Sequence, residues 1–593
     1  MAKGAMKNPT LALLAALGVA AISSYACGNH PSTGGFTSPP TGGPVSGGGS
    51  GGTGTGSDGG LGTVSSSGGG NLLGDGGLSS GPEGGPGLEC PMPLTENDFA
   101  SPIVEAGVPA NAPALFAAAD VGTDGPCVYE PEMGALFPNN WMRLRFRFTT
   151  THQENLFEIK LVVPNETSPL LIYTTQSPYT LDVATWQKIT TLGVNGPIKV
   201  TVRSATVANG ALTGGPWAGS AGTIEVAPVP AAGSIVYWTT SNGTVLKGFQ
   251  MGSEAMPQPV LTPTQITTDC VGCHTSTPDG LYVGLTASND VGTADGPAFV
   301  DLRSVDGGLA RPSFVSSDGL ALLARQGQHA PSFSPAHWSA GDHLALSMMS
   351  IGGTDEIGWI NLEATSQTQG TAWGVLARTG DSNQAASAAF SHDGKNVVYT
   401  SATDVNSGTN AATGRLYVVP FMGGQGGMAT ALAGASDASY LQFYPSYSRD
   451  DAFVAFNRLP TSLASVTTPA TYNNPNSEVF VVPSAGGTAV RVAANDPPGC
   501  LHTPSPGITN SWAKWSPQVL SVCGNTYYFF VFSSTRDPGA GGGPQLYVAP
   551  IVVDASGKVT TYSAIYPWNQ PEEEHNHTPA WDVFQLPPPP TPK

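Results

Sequence analysis

The chain has 593 residues, 40% of them hydrophobic and only 11% charged, with 76 Gly and 52 Pro. Gly and Pro together are about 22% of the chain, well above the usual ~12%, which rules out a mainly helical protein or a coiled coil and favours short strands, turns and linker. Lys and Arg number 23 against 42 Asp and Glu, a formal net charge of −19; this argues against nucleic acid or anionic lipid as a partner held by the overall field.

Lys3 and Lys7 precede an apolar run of twelve residues, Leu11–Ile22. That is too short to span a bilayer and suits the h-region of a secretory signal over residues 1–26. Ser24-Tyr25-Ala26-Cys27-Gly28 resembles the lipobox of bacterial lipoproteins, except that Ser24 stands where Leu is usual. The resemblance implies acylation of Cys27, a lipid anchor to the membrane, and an outer-membrane lipoprotein of the bacterial cell envelope, periplasmic or surface-exposed. The alternative is plain cleavage after Ala26. The 62 residues from Gly28 to Glu89 hold 25 Gly and no Lys or Arg, a composition that cannot bury enough apolar surface to fold. Residues 27–89 therefore read as a disordered tether, with a reach of roughly 40–50 Å.

The other six cysteines are Cys90, Cys127, Cys270, Cys273, Cys500 and Cys523. Cys270-Val271-Gly272-Cys273-His274 forms a C-x-x-C-H motif. In an oxidising compartment the remaining four read as two local disulfides, Cys90–Cys127 and Cys500–Cys523. A Cys270–Cys273 disulfide is the alternative use of the motif, and it leaves His274 unexplained.

Over 90–230 the pattern is one of short strands. In Trp141–Phe148, Leu144, Phe146 and Phe148 alternate with Arg143, Arg145 and Arg147, as in a strand with one solvated face. Leu156–Val163, Leu170–Thr174, Ile198–Val202 and Thr223–Val226 are further runs, so a β-sandwich is expected. The stretch from Tyr129 to Pro138, with Trp186, resembles an immunoglobulin-like module found ahead of bacterial propellers. His152 reads as a lone surface residue.

Residues 231–586 carry a repeated phrase: HTSTPDGLYVGLTAS from His274, APSFSPAHWSAGDHLALSMM from Ala330, SAAFSHDGKNVVYTSAT from Ser387, YPSYSRDDAFVAFNRL from Tyr444, WAKWSPQ from Trp512 and HTPAWDVF from His577. Thr277, Ser334, Ser391, Ser448 and Ser516 are spaced by 57, 57, 57 and 68, and Asp582 follows 66 later. A strand–turn–strand unit at this period predicts a β-propeller. Six phrases predict six blades. The last would be completed by Ile235–Thr239 and Thr244–Phe249, so that strands from both ends of the chain close the ring. A Pro-rich tail, 587–593, follows. The S-P-D-G core resembles the PD40 repeat of TolB-like propellers, with His392 and Arg449 standing where Pro is usual.

In an exported chain the C-x-x-C-H motif resembles the attachment site of c-type cytochromes. That implies one covalent haem c, with thioethers at Cys270 and Cys273 and His274 on the iron. His329 and His577 each lie five residues before the aligned turn residue, and the ring order places them on either side of the motif. One of them is the expected distal ligand; the alternative is that both satisfy backbone groups. Glu572, Glu573, Glu574 and His575 read as a solvated acidic loop, and Met348 and Met349 as core. The function that follows is electron transfer with a redox partner protein. A non-redox, TolB-like binding scaffold is the second reading. An enzyme ranks third, since no G-x-S-x-G, zinc or phosphate-loop motif occurs in a suitable context.

Overall fold

The structure, a computed structural model, describes residue 90 and residues 94–587, apart from 195, 242, 290–297, 326–328, 404, 407–409, 465–470, 538 and 540–542. The signal segment, Cys27, the tether and all but the first residue of the Pro-rich tail lie outside the described residues. No described helix is long and apolar enough to cross a membrane.

The described chain is all-β and propeller-like. Its N-terminal part holds a six-stranded sheet in the order Ile103–Val104, Leu170–Thr174, Leu156–Val162, Ile198–Ala208, Ala211–Val226, Leu136–Phe137. The central pairings are antiparallel and the two outermost are parallel. A three-stranded sheet, Cys127–Glu130, Arg145–Thr149 and Tyr179–Thr180, accompanies it. Helix Val183–Leu192 starts where the Asp182 carboxylate accepts the Thr185 N–H at 2.9 Å, an N-cap. It turns Trp186, Ile189 and Leu192 inward.

The alternating run around Arg145 folds as a strand, but its arginine face is not solvated. Arg145 binds Glu130 at 2.7 Å and Arg147 binds Asp537 at 2.9 Å. Arg536 reaches back to Glu132 at 3.0 Å. Glu572 lies 3.2 Å from Arg147, and Glu574 pairs with Lys247 at 2.5 Å, so two of the three glutamates of the expected acidic loop are partnered. One apolar core runs from Phe99 and Phe146 through Tyr237 and Phe529 to Trp581, joining the N-terminal sheets to those that follow.

From Ser234 onward the sheets succeed one another around an axis. One joins Gln258–Leu261, Val245–Gln250 and Ser234–Thr239 to the C-terminal strand Asn576–Asp582, with Trp238 opposite His577. The others begin with Cys270–Ser276, Leu344–Ile351, Gln384–Phe390, Tyr440–Tyr447 and Asn510–Trp515. The phrase at Ala330 departs from the expected strand. Ser332 makes only an isolated bridge to Leu346, because Pro331 and Pro335 lack the N–H a ladder needs. Helix Pro335–Ser339 follows, with Ser334 as its N-cap. Met348 and Met349 are buried, as expected.

The expected local disulfides are not the ones formed. Cys90 pairs with Cys523 and Cys127 with Cys500, 433 and 373 residues apart. The N-terminal sheets pack beside the last repeats, so the nearest thiol in space is not the nearest in sequence. In the chain-entropy picture a loop of this length is worth roughly 5 kcal/mol.

Candidate functional site in the axial cavity

The strands nearest the axis share a kink. The pairing slips between Val271 and His274, Ala386 and Ala389, Phe443 and Ser446, and Ser511 and Lys514. Each slip is a β-bulge, with one extra residue on the inner strand. Ser387, Tyr444, Trp512 and Thr578 occupy it with φ of 51°, 52°, 64° and 35°. The repeat register places Cys273 and Ala330 at the equivalent point. Cys273, Ala330, Tyr444 and Trp512 meet in one apolar cluster, with the Tyr444 and Trp512 rings 4.5 Å apart. The axis is therefore filled at this level.

Two residues further along each strand the side chains become small. Thr275, Ser332, Ala389, Ser446 and Ala580 line a cavity of about 130 Å³, and Lys514 is the sixth member of that set. The next layer of the lining is the turn residues Pro278, Pro335, His392, Arg449, Pro517 and Val583. The two positions that depart from the expected Pro thus bring an imidazole, His392, and a guanidinium, Arg449, to the mouth. A larger groove of about 330 Å³ lies along Gly248–Gln250, Met256–Val260 and Phe584–Pro587, but no titratable side chain lines it.

Lys514 is the unusual group. Its ammonium makes no hydrogen bond or ion pair among the described residues; it sits 5.4 Å from the centre of the Trp512 ring. Burial brings its pKa down to about 8, because the low-dielectric surroundings disfavour the charged form. Arg449 likewise forms no ion pair among the described residues. His392 is committed to Asp451, Nδ1 to Oδ1 at 2.9 Å. A partly buried cation with no ion-pair partner among the described residues, in a cavity of this size, suits an anion.

The residues assigned to haem are placed differently. Cys270 is disulfide-bonded, and Cys273 is a free, buried thiol whose pKa burial raises to about 11. The motif lies in an extended strand, Cys270–Ser276, which spaces the two cysteines about 10 Å apart along the backbone instead of gathering them at one porphyrin edge. The His274 ring is spent on backbone, Nε2 on the Val236 carbonyl at 2.9 Å. His329 Nδ1 holds the Ala330 carbonyl at 2.8 Å. His577 meets the Tyr472 hydroxyl through Nδ1 and Thr240 through Nε2. All three are buried neutral, their pKa values lowered to about 4, 4 and 3. No group of three His, Cys, Asp or Glu among the described residues is arranged to hold a metal. The donor set therefore does not fit haem c or an iron at His274, His329 and His577, and the electron-transfer reading falls with it. His152 is not alone either; it stacks on Trp217 and lies 2.9 Å from Asp124.

No family model matches the chain, and no curated protein matches it. Solved structures with some likeness include an ancestral GH74 enzyme, with a TM-score of 0.31 and 12% identity, covering 57% of this chain and 39% of that one. A GH43_12 retrieved from a capybara gut metagenome has a TM-score of 0.27 and 12% identity, covering 57% and 61%. An α-L-arabinofuranosidase from Lactobacillus brevis has a TM-score of 0.21 and 12% identity, covering 39% and 71%. The chain thus spans less than two thirds of the length of the first two. These neighbours are glycoside hydrolases and not TolB-like proteins, so the resemblance to PD40 propellers and the scaffold reading built on it are not upheld. At these scores the neighbours assign no activity to this chain.

Proposed function

We propose that this protein is an exported ligand-binding propeller whose axial cavity takes a small organic acid. The observation that carries the reading is Lys514, a partly buried ammonium that forms no hydrogen bond or ion pair among the described residues, set in a ring of small side chains. A bound carboxylate would supply the missing counter-charge. Six inner segments lining one cavity support a six-bladed ring, and the pairing of Asn576–Asp582 with Ser234–Thr239 supports its closure by both chain ends. The paired sheets over 90–230 are the ground for the immunoglobulin-like reading of that part. The Leu11–Ile22 run and Cys27 are the ground for export and lipid anchoring.

The test is thermal shift and titration calorimetry with a panel of small organic acids at pH 7. Members of the panel raise the thermal midpoint of the wild type, and Lys514→Met weakens them at least tenfold. If none binds a folded sample, the reading is wrong.

A second reading, hydrolysis of a glycosidic bond, rests on Asp582. Burial raises its pKa above the usual carboxylate value, which suits a general acid. Such chemistry needs a second carboxylate free to act. The neighbouring Asp279 is engaged by Thr277, Leu281 and Trp338. Turnover of aryl glycosides, lost in Asp582→Asn, would favour this reading over binding alone.

A further inference from the structure

Away from the axial cavity, the sheet that pairs Ser234–Thr239 with Asn576–Asp582 packs against the sheet of Asn510–Trp515, Asn525–Ser534 and Gln545–Asp554. Six buried oxygens along this seam have no hydrogen-bond partner among the described residues. On one side are the hydroxyls of Ser511 and Ser533, which stand opposite each other in the ladder. Ser533 lies on the face of its strand that carries Phe529 and Val531, since positions two apart share a face, and those two side chains share a core with Tyr237. On the other side Thr239 stands opposite Asn576, and Tyr237 opposite Lys247. The Lys247 ammonium holds Glu574 Oε1 at 2.5 Å, and Glu574 Oε2 is left over. Burial, and then the nearby Glu574 carboxylate, hold the Tyr237 pKa well above its ordinary value. Asn576 ties the two sides together, its backbone N–H donating to the Pro544 carbonyl at 2.8 Å; its Oδ1 is unused.

The opposite face of the same two strands is arranged otherwise. Asn510 and Ser534, one residue along from Ser511 and Ser533, are paired directly. Asn510 Nδ2 donates to the Asn495 carbonyl at 3.1 Å, and Arg536 donates to Asn510 Oδ1 at 2.9 Å and to Ser534 Oγ at 3.0 Å. That face needs nothing further. In the seam, each unpaired buried oxygen is costly and calls for a partner from outside the chain. Four of the six are hydroxyls, which donate and accept alike. A metal cation would use only their lone pairs and would face the Lys247 ammonium. An anion would face Glu574, and an apolar guest would pair with nothing. Water satisfies donors and acceptors together, and a buried water makes about three hydrogen bonds.

We propose that this seam binds a chain of about two or three ordered waters, held between Ser511 and Ser533 on one side and Tyr237, Thr239, Glu574 and Asn576 on the other. The test is a crystal structure of the full chain that resolves ordered solvent, with thermal midpoints for Ser533→Ala and Tyr237→Phe. Density is expected for waters about 2.7–3.2 Å from oxygens on both sides of the seam. Both variants should melt below the wild type, because each removes a bond to a held water. A seam without density, or direct hydrogen bonds between the two sides, overturns the proposal. So does a single site with oxygens at about 2.3–2.6 Å, which marks a cation. If the hydroxyls are dry, deleting one relieves a desolvated group and the midpoint rises; a rise in either variant also overturns it. The density decides the question even if a variant does not fold.

Discussion

Two regions of this molecule draw charge out of bulk water, one deeply and one only in part, and they treat it in opposite ways. Where the N-terminal sheets meet the last repeats, the deeply buried charges have partners: Arg145 with Glu130, Arg147 with Asp537, and Arg536 with Glu132, whose side chain is 6% exposed. In the axial cavity Lys514, Arg449 and Asp582 form no ion pair among the described residues. The first arrangement completes itself within the fold. The second, on the reading proposed above, is completed by a ligand. Pairing therefore separates charge that fixes structure from charge left open to solvent or, as proposed, to a ligand.

The largest effect should come from breaking the first region. Arg536→Met strands Glu132 in the core and removes the bonds to Ala494 and Asn510. Removing one partner of a buried pair costs about 3–5 kcal/mol, and chemical denaturation should show it as a lower midpoint. Replacing both Cys127 and Cys500 by Ser removes a closure between sequence-distant parts. The expected loss is about 2–5 kcal/mol, and peptide mapping without reductant should show Cys127 joined to Cys500 in the wild type, never to Cys90.

The cavity should respond with the opposite sign. Lys514→Met removes an uncompensated cation and should stabilise the unliganded fold by roughly 1–3 kcal/mol. A destabilised Lys514→Met protein would mean that the ammonium already has a partner. The pH dependence sharpens the point. Unfolded Lys titrates near 10.4, folded Lys514 near 8, so between those values the unfolded chain binds more protons. Stability must rise as the pH climbs through that window, and the rise should be absent in Lys514→Met. Anion binding should fade over the same rise, as the amine loses its charge. The smallest effect is expected at Trp512→Phe. The indole Nε1 is buried without a hydrogen-bond partner among the described residues, so its loss should change the midpoint by less than about 1 kcal/mol.

Much of the fold was legible in local pattern. The strand around Phe146, the repeat at 57 residues and the burial of Met348 and Met349 all follow from alternation, which acts over a few residues and survives any packing. The second repeat was misread in detail, because Pro331 and Pro335 override a strand pattern that is otherwise intact. The histidines were misread for a different reason. The equal register of His329 and His577 is real, but register says where a residue lies along a strand and nothing about what its ring meets. Each ring found a backbone carbonyl or a hydroxyl first.

The cavity left one trace in the sequence: His392 and Arg449 break the turn consensus at positions that line its mouth. Lys514, within WAKWSPQ, left none. By itself the sequence determined the all-β class, the repeat period and the short strands, because these depend on neighbours in the chain. Only the tertiary structure decided which cysteines pair, which arginines are buried and which lysine lines the axial cavity. Those are contacts between residues tens to hundreds of positions apart. No local preference encodes whether a charge will find its partner there.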